Sequence, residues 1–149
     1  MTRKEKLVNR CSQFVEKRLQ TISATISSNT AALQSETKSS AGDKHETGRA
    51  MLQLEMEKAG QQLNNVTAMR NTLARIDATK ITKQICLGSI ATTNRGSYFI
   101  SISAGKLLVE NQTYFAVSSV SPIGKLLLGA RAGTSFVFNG NRWEVLEVQ

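Results

Sequence analysis

From residue 4 to about residue 38 the chain has neither Pro nor Gly, and apolar or small residues return every three or four positions. They are Val8, Cys11, Val15, Leu19, Ile22, Ile26, Asn29 and Leu33. That spacing is a coiled-coil seam, narrower than the buried face of a globular helix. The pattern repeats over about 46–78 with Leu52, Met56, Ala59, Leu63, Val66, Met69, Leu73 and Ile76. Only Ser39-Ser40-Ala41-Gly42 separates the two stretches, and two helices joined by so short a turn pack antiparallel. At 1.5 Å per residue each would run roughly 50 Å. Successive four-residue steps around Val15 relax the supercoil locally. Asn29 is a polar seam position of the kind that fixes register at some cost in stability. Thr and Ser accumulate after Thr21 and lower helix propensity, so packing against the partner helix must hold that half.

After about residue 80 the texture changes. Residues 85–91 and 98–102 are β-branched or aromatic runs bounded by Gly and Asn, and read as strands; 114–117 is a third. Next comes Ser121-Pro122-Ile123-Gly124-Lys125-Leu126-Leu127-Leu128-Gly129. Ser at the N-cap, Pro at the first helical position and Gly just past the end predict a short helix. Asn139-Gly140 joins 135–138 to 142–148 and is the strongest short hairpin signal. With aromatics at 5%, apolar residues at 40% and a single Pro, a large compact core is not expected. The expected fold is α+β. A long antiparallel coiled-coil hairpin over 1–79 precedes a small domain over 80–149, mostly antiparallel sheet with one short helix.

Gly42-Asp43-Lys44-His45-Glu46 falls at the turn between the helices. In a hairpin the carboxylates of Asp43 and Glu46 would land at its outermost tip, positioned to offer oxygen ligands to a metal or water in a partner's recessed site. The uneventful alternative is a capping box, with Asp43 as N-cap and Glu46 folding back three residues later. Both acids also suit the positive end of a helix dipole. The two readings are compatible, because a cap at a hairpin tip still leaves oxygens near solvent. His45 reads as exposed. Lys38, Lys44 and Arg49 make the flanks basic, either as a solvated surface or as guidance toward RNA and phosphate.

No nucleophile elbow, P-loop, dinucleotide glycine motif or histidine cluster is present, so no complete active site is expected within the chain. Cys11 on a helix and Cys86 on an expected strand, with one histidine in all, make neither a zinc ligand set nor a disulfide framework. The N-terminus lacks the apolar run of a signal peptide and no stretch is apolar enough to span a bilayer, so a cytoplasmic protein without membrane contact is expected. The formal charge of +8 favours a polyanionic partner such as a ribonucleoprotein machine. Both halves share it: 13 Lys/Arg against 8 Asp/Glu over 1–80, and 6 against 3 over 81–149.

In these residues the sequence resembles the bacterial Gre (GreA/GreB) transcript-cleavage factors. That family joins an antiparallel coiled coil with a G-D-x-x-E-N tip to an FKBP-like domain carrying S-P-I-[AG]-[RK]-x-L-[LI]-G. Gly42, Asp43 and Glu46 match the first motif; residues 121–129 match the second, and 143–148 resemble the family's last strand. The resemblance implies a monomer that docks on RNA polymerase through the C-terminal domain, with Ser121, Pro122, Ile123 and Lys125 at the docking face. Its coiled coil would pass down the secondary channel to the nascent RNA 3′ end. Asp43 and Glu46 would help to hold a Mg²⁺ shared with the polymerase active site and orient the attacking water. The protein would have no cofactor of its own and would stimulate the polymerase's own nucleolytic activity rather than be an enzyme.

The sequence departs from the family pattern near the tip. Thr47 replaces the Asn, Arg49 and Ala50 stand where Glu-Tyr is usual, and Leu54 replaces a basic residue. A secondary-channel regulator that inhibits or modulates polymerase without cleavage is therefore the alternative. Two other classes remain. A proline isomerase would need an aromatic pocket, whereas Tyr98, Phe99, Phe115, Phe136, Phe138 and Trp143 alternate more like core and surface. A scaffolding homodimer would need only the coiled coil.

Overall fold

The computed structural model describes residues 1–35 and 47–149 fully, and 36–38 and 43–46 as helical backbone only. The expected turn at 39–42 lies outside the described residues. The chain divides into two compact units, Val15–Arg70 and Met1–Phe14 with Asn71–Gln149. The fold is α+β: a long helix hairpin, then a six-stranded, mostly antiparallel sheet with one short helix.

Helix α1 runs over Arg3–Lys38 and α2 over Asp43–Ala74. In the first unit they form the body of the hairpin. Val15, Ile22 and Asn29 are buried on α1 at heptad spacing, and Ala59 and Val66 on α2. Leu19, Ile26, Leu33, Leu52, Met56, Leu63 and Met69 are half-buried beside them. Glu16 and Arg70 pair across the helices at 2.5 Å, which fits an antiparallel arrangement. The hydroxyls of Thr21, Thr25 and Thr30 donate to the carbonyls four residues back, at 3.1, 3.1 and 2.8 Å. These threonines turn their polar group onto their own helix instead of competing with it.

The second unit contains the sheet. Strands β1 (Ile90–Thr93), β2 (Gly96–Ser101), β3 (Gly105–Val109), β4 (Gln112–Ser118), β5 (Ser135–Phe138) and β6 (Asn141–Val148) lie in the order β3-β4-β2-β1-β6-β5. Helix α3 spans Pro122–Leu127. The β2–β4 pair is parallel and the rest are antiparallel, so the expected antiparallel sheet is mixed at one junction. One face carries Ala91, Ile100 and Val145, packed with Ile85, Leu127 and Ala130. By alternation and register the other carries Ile90, Phe99, Leu107, Tyr114 and Ala116. Cys11, fully buried, lies 3.8 Å from the Ser101 hydroxyl of β2, so the opening turns of α1 cover this second face. Those turns bury Leu7 rather than the expected Val8. They begin in a capping box: Thr2 Oγ1 accepts from Glu5 N at 3.2 Å while Thr2 N donates to Glu5 Oε2 at 2.7 Å.

Four local expectations are corrected. Residues 85–89 are not strand. Ile85 exchanges backbone hydrogen bonds with Gly129 and Ala130, and a turn closes at once from Ser89 N to Cys86 O. Cys86 therefore sits in irregular chain. Helix α2 ends at Ala74 rather than about 78, because the Asp77 carboxylate accepts from Thr79 N and Oγ1 and fixes a turn there. Strand β3 has no counterpart in the expected elements.

The aromatic residues also differ from expectation. Tyr98 lies 5.4 Å from Phe115 and 5.3 Å from Trp143, and Trp143 lies 6.0 and 6.1 Å from Phe136 and Phe138. Five of the six rings thus gather on the face that carries Ala91 and Ile100, with Phe99 opposite. Trp143 at their centre is only 7% exposed.

Candidate functional site

Two segments carry the expected functional residues. The first is the start of α2. Helical backbone begins at Asp43, so positions 43 and 46 share its first turn. The side chains of Lys38, Asp43, Lys44, His45 and Glu46 lie outside the described residues. Beyond them, Thr47 and Arg49 are exposed and Gly48 is half-buried. Leu54 is 65% exposed, an apolar group on the solvent side of α2.

The second segment is α3 and its approach. Ser121, with φ −68° and ψ 159°, is the N-cap; its hydroxyl accepts from Gly124 N at 3.1 Å and donates to Ser118 O at 2.6 Å. One side chain therefore ties the helix start to the end of β4. Ser118 Oγ in turn accepts from Val120 N at 3.2 Å. Pro122 occupies the first turn, where its missing N–H costs nothing. Gly124 is buried, and a Cβ there would collide with the Ser118 carbonyl oxygen. Gly129, at φ 85°, leaves the helix in the left-handed conformation that the sequence signal implied.

The four proposed docking residues thus hold different positions. Pro122 and Lys125 are exposed, Ser121 is half-buried in its capping bonds, and Ile123 packs against the core cluster with Leu127. Three apolar neighbours escaped sequence reasoning: Val120, Leu126 and Leu128 are exposed. A helix of six residues can bury only one stripe, and Leu127 takes it, so the adjacent leucines must face outward. Val120, Pro122 and Leu126 are thus exposed apolar residues at the short helix, and Lys125 is an exposed cation on it.

Among the described residues no group of three or more His, Cys, Asp or Glu side chains is placed to hold a metal ion, and no helix is long and apolar enough to cross a membrane. No protein-family model and no curated protein sequence matches the chain. Among solved structures the chain is similar to that of the transcription factor Gfh1, at 21% identity and a TM-score of 0.35, over 95% of this chain and 92% of that one.

Proposed function

We propose that the protein is a Gre-like transcription elongation factor that binds RNA polymerase and stimulates its intrinsic cleavage of backtracked RNA. The observation that carries this reading is the position of Asp43 and Glu46. Their backbone positions share the first turn of α2, which begins at Asp43 after α1 ends at Lys38. From Val15 to Lys38, α1 supplies 24 residues to the hairpin, roughly 36 Å of helix. That reach suits a probe that enters a channel.

In this reading the coiled coil enters the secondary channel, and Asp43 and Glu46 offer hard oxygen ligands to a Mg²⁺ in the polymerase active site. Carboxylates are the ligands Mg²⁺ takes from proteins, usually one or two of them. The ion, when bound, lowers the charge cost of attack on the phosphodiester. The chain's part is to bring the carboxylates, hold a water near them and screen the RNA phosphate with Lys38, Lys44 and Arg49. Docking falls to Pro122 and Lys125 on the exposed side of α3, with Ser121 and Ile123 setting that helix in place. The chain acts as a monomer and is not itself a nuclease.

The test is a stalled, backtracked elongation complex from the cognate organism. Wild-type protein is expected to accelerate RNA shortening by at least about 100-fold, the range assigned to a positioned catalytic group. Asp43→Asn should remove that gain while leaving helicity and polymerase binding intact. Wild-type protein that binds and yet leaves the shortening rate unchanged overturns the reading. The exposed Leu54, with Thr47 in place of Asn, favours the second reading, a channel-binding regulator that does not cleave. Its signature is slowed nucleotide addition that Asp43→Asn does not alter.

A further inference from the structure

Lys4 in the first turn of α1, residues 75–80 after α2 and the turn at 86–89 border a cavity of about 360 Å³. All of them belong to the sheet-containing unit. The volume lies within the range of small-ligand pockets and far exceeds what one water needs. Its charged lining is Lys4, Arg75 and Lys80 against Asp77. The Asp77 carboxylate is already engaged by Thr79, through N at 3.0 Å and Oγ1 at 2.6 Å. Three cations against one carboxylate leave the recess net positive.

Two independent features mark it as a built site. The first is Lys4. Its side chain is buried, with the residue 8% exposed, and its ammonium donates to the Lys80 carbonyl at 2.6 Å, the one hydrogen bond it makes among the described residues. An ammonium has three N–H donors, so two remain to serve what occupies the cavity. Burial lowers its pKa, which an anion in the cavity would oppose.

The second is the presentation of Cys86. Ser89 N closes the turn onto Cys86 O at 3.0 Å, and Gly88, at φ 89°, takes the third position that only glycine fills easily. A Cβ on Gly88 would lie 2.9 Å from Ile76 Cγ2, so the turn is packed from behind. The buried Ser89 Oγ accepts from Cys86 N at 3.0 Å and lies 3.5 Å from the Cys86 sulfur, which also donates to the Leu87 carbonyl at 3.6 Å. The Ser89 hydrogen bond first, with help from Thr82 and the charges of Lys80 and Lys4, holds the half-exposed thiol below its ordinary range. Cys11 is the contrast: fully buried, with its thiol pushed up by burial to about 11.

We infer that this cavity is a covalent capture site for a small thiol bearing carboxylates, held at Cys86 as a mixed disulfide. The Cys86 thiolate attacks one sulfur of a low-molecular-weight disulfide. A new S–S bond forms to that half, the small disulfide's own S–S bond breaks, and the other half leaves as a thiolate and takes a proton from solvent. The protein thiol is oxidised and the small disulfide reduced, so no further oxidant is required. Lys4, Arg75 and Lys80 receive the carboxylates.

The test exposes the full-length protein at neutral pH to oxidised glutathione, an anionic disulfide, and in parallel to the uncharged bis(2-hydroxyethyl) disulfide. Intact mass and peptide mapping follow the adducts. One adduct at Cys86 and none at Cys11 is expected, reversed by dithiothreitol. Relative to its rate with a small free thiol, Cys86 should prefer the anionic reagent by about tenfold, and the preference should fall with salt. Lys80→Gln, which keeps the backbone carbonyl that binds Lys4, should erase most of that preference with an unchanged circular dichroism spectrum. Modification of Cys11 as fast as Cys86, equal preference for the two reagents, or a preference untouched by Lys80→Gln would each overturn the assignment.

Discussion

Gly124 sits where the chain leaves no room for a side chain. A Cβ there would overlap the Ser118 carbonyl oxygen, which already accepts the Ser121 hydroxyl at 2.6 Å and Ser121 N at 3.1 Å. Backbone rather than a flexible side chain blocks it, so relief requires moving the α3 corner itself. Gly124→Ala is expected to cost about 2–3 kcal/mol, as overpacking of a tight site does, read as a lower midpoint in urea. An unchanged midpoint would mean that the corner has slack. The glycine was visible in the sequence as part of a motif, but its reason was not. Only the fold brings the end of β4 against the first turn of α3. The same holds for Lys125 and Ile123, adjacent in meaning within the motif and yet one exposed and one packed inward.

Among the elements, the helices were the most legible, because a seam repeated over many turns outvotes local propensity. Asn29 stood out in that seam, and the structure sharpens its cost: it is 7% exposed, and its Nδ2 has no hydrogen-bond partner among the described residues. Asn29→Leu should stabilise the hairpin by about 1–2 kcal/mol, the penalty of an unsatisfied buried amide, and raise the thermal midpoint. A lower midpoint would show that the amide is needed to hold register. Strand β3 escaped because its hairpin lacks the usual signal. Val109 pairs with Gln112, so the two-residue loop is Glu110-Asn111, at φ 53° and 62°. A glutamate in that left-handed region is uncommon, and no local pattern announces it. Its carboxylate is held from the first turn of α1, by Lys6 at 2.8 Å and Arg3 at 3.4 Å.

That contact carries a pH dependence. The hydrogen bond from Lys6, then its charge and Arg3, hold the Glu110 carboxyl below its ordinary value of 4.5. A depressed carboxyl contributes stability that is present above 4.5 and lost as pH falls through the lower folded value. Stability measured across that acid window should decline less steeply in Glu110→Gln than in the wild type. Identical slopes would show that the exposed pairs contribute nothing, as many surface pairs do.

For the whole molecule, the order of a helical hairpin followed by a sheet with one short helix was readable, because the change from a 3.6-residue to a two-residue period is abrupt near residue 80. The parallel β2–β4 junction was not readable. Strand pairing across intervening elements leaves no local trace, and the chain passes from β2 through β3 before β4 lies alongside. The gathering of four aromatic rings with Trp143 was hidden for the same reason. The acid pair was conspicuous at the sequence level, in a segment too short and polar for periodicity to constrain. Its role rests on what two carboxylates near the start of one helix can bind.

If that role is to complete a metal site in the polymerase, the direct measurement is the Mg²⁺ dependence of RNA cleavage in backtracked complexes, with and without the protein. Wild-type protein should lower the Mg²⁺ concentration for half-maximal cleavage by about tenfold, equivalent to roughly 1.4 kcal/mol of added ligand binding. The Asp43→Asn/Glu46→Gln variant, bound equally to polymerase, should return it to the value for polymerase alone. A midpoint that wild-type protein leaves in place, or that the double variant lowers as well, would contradict the account.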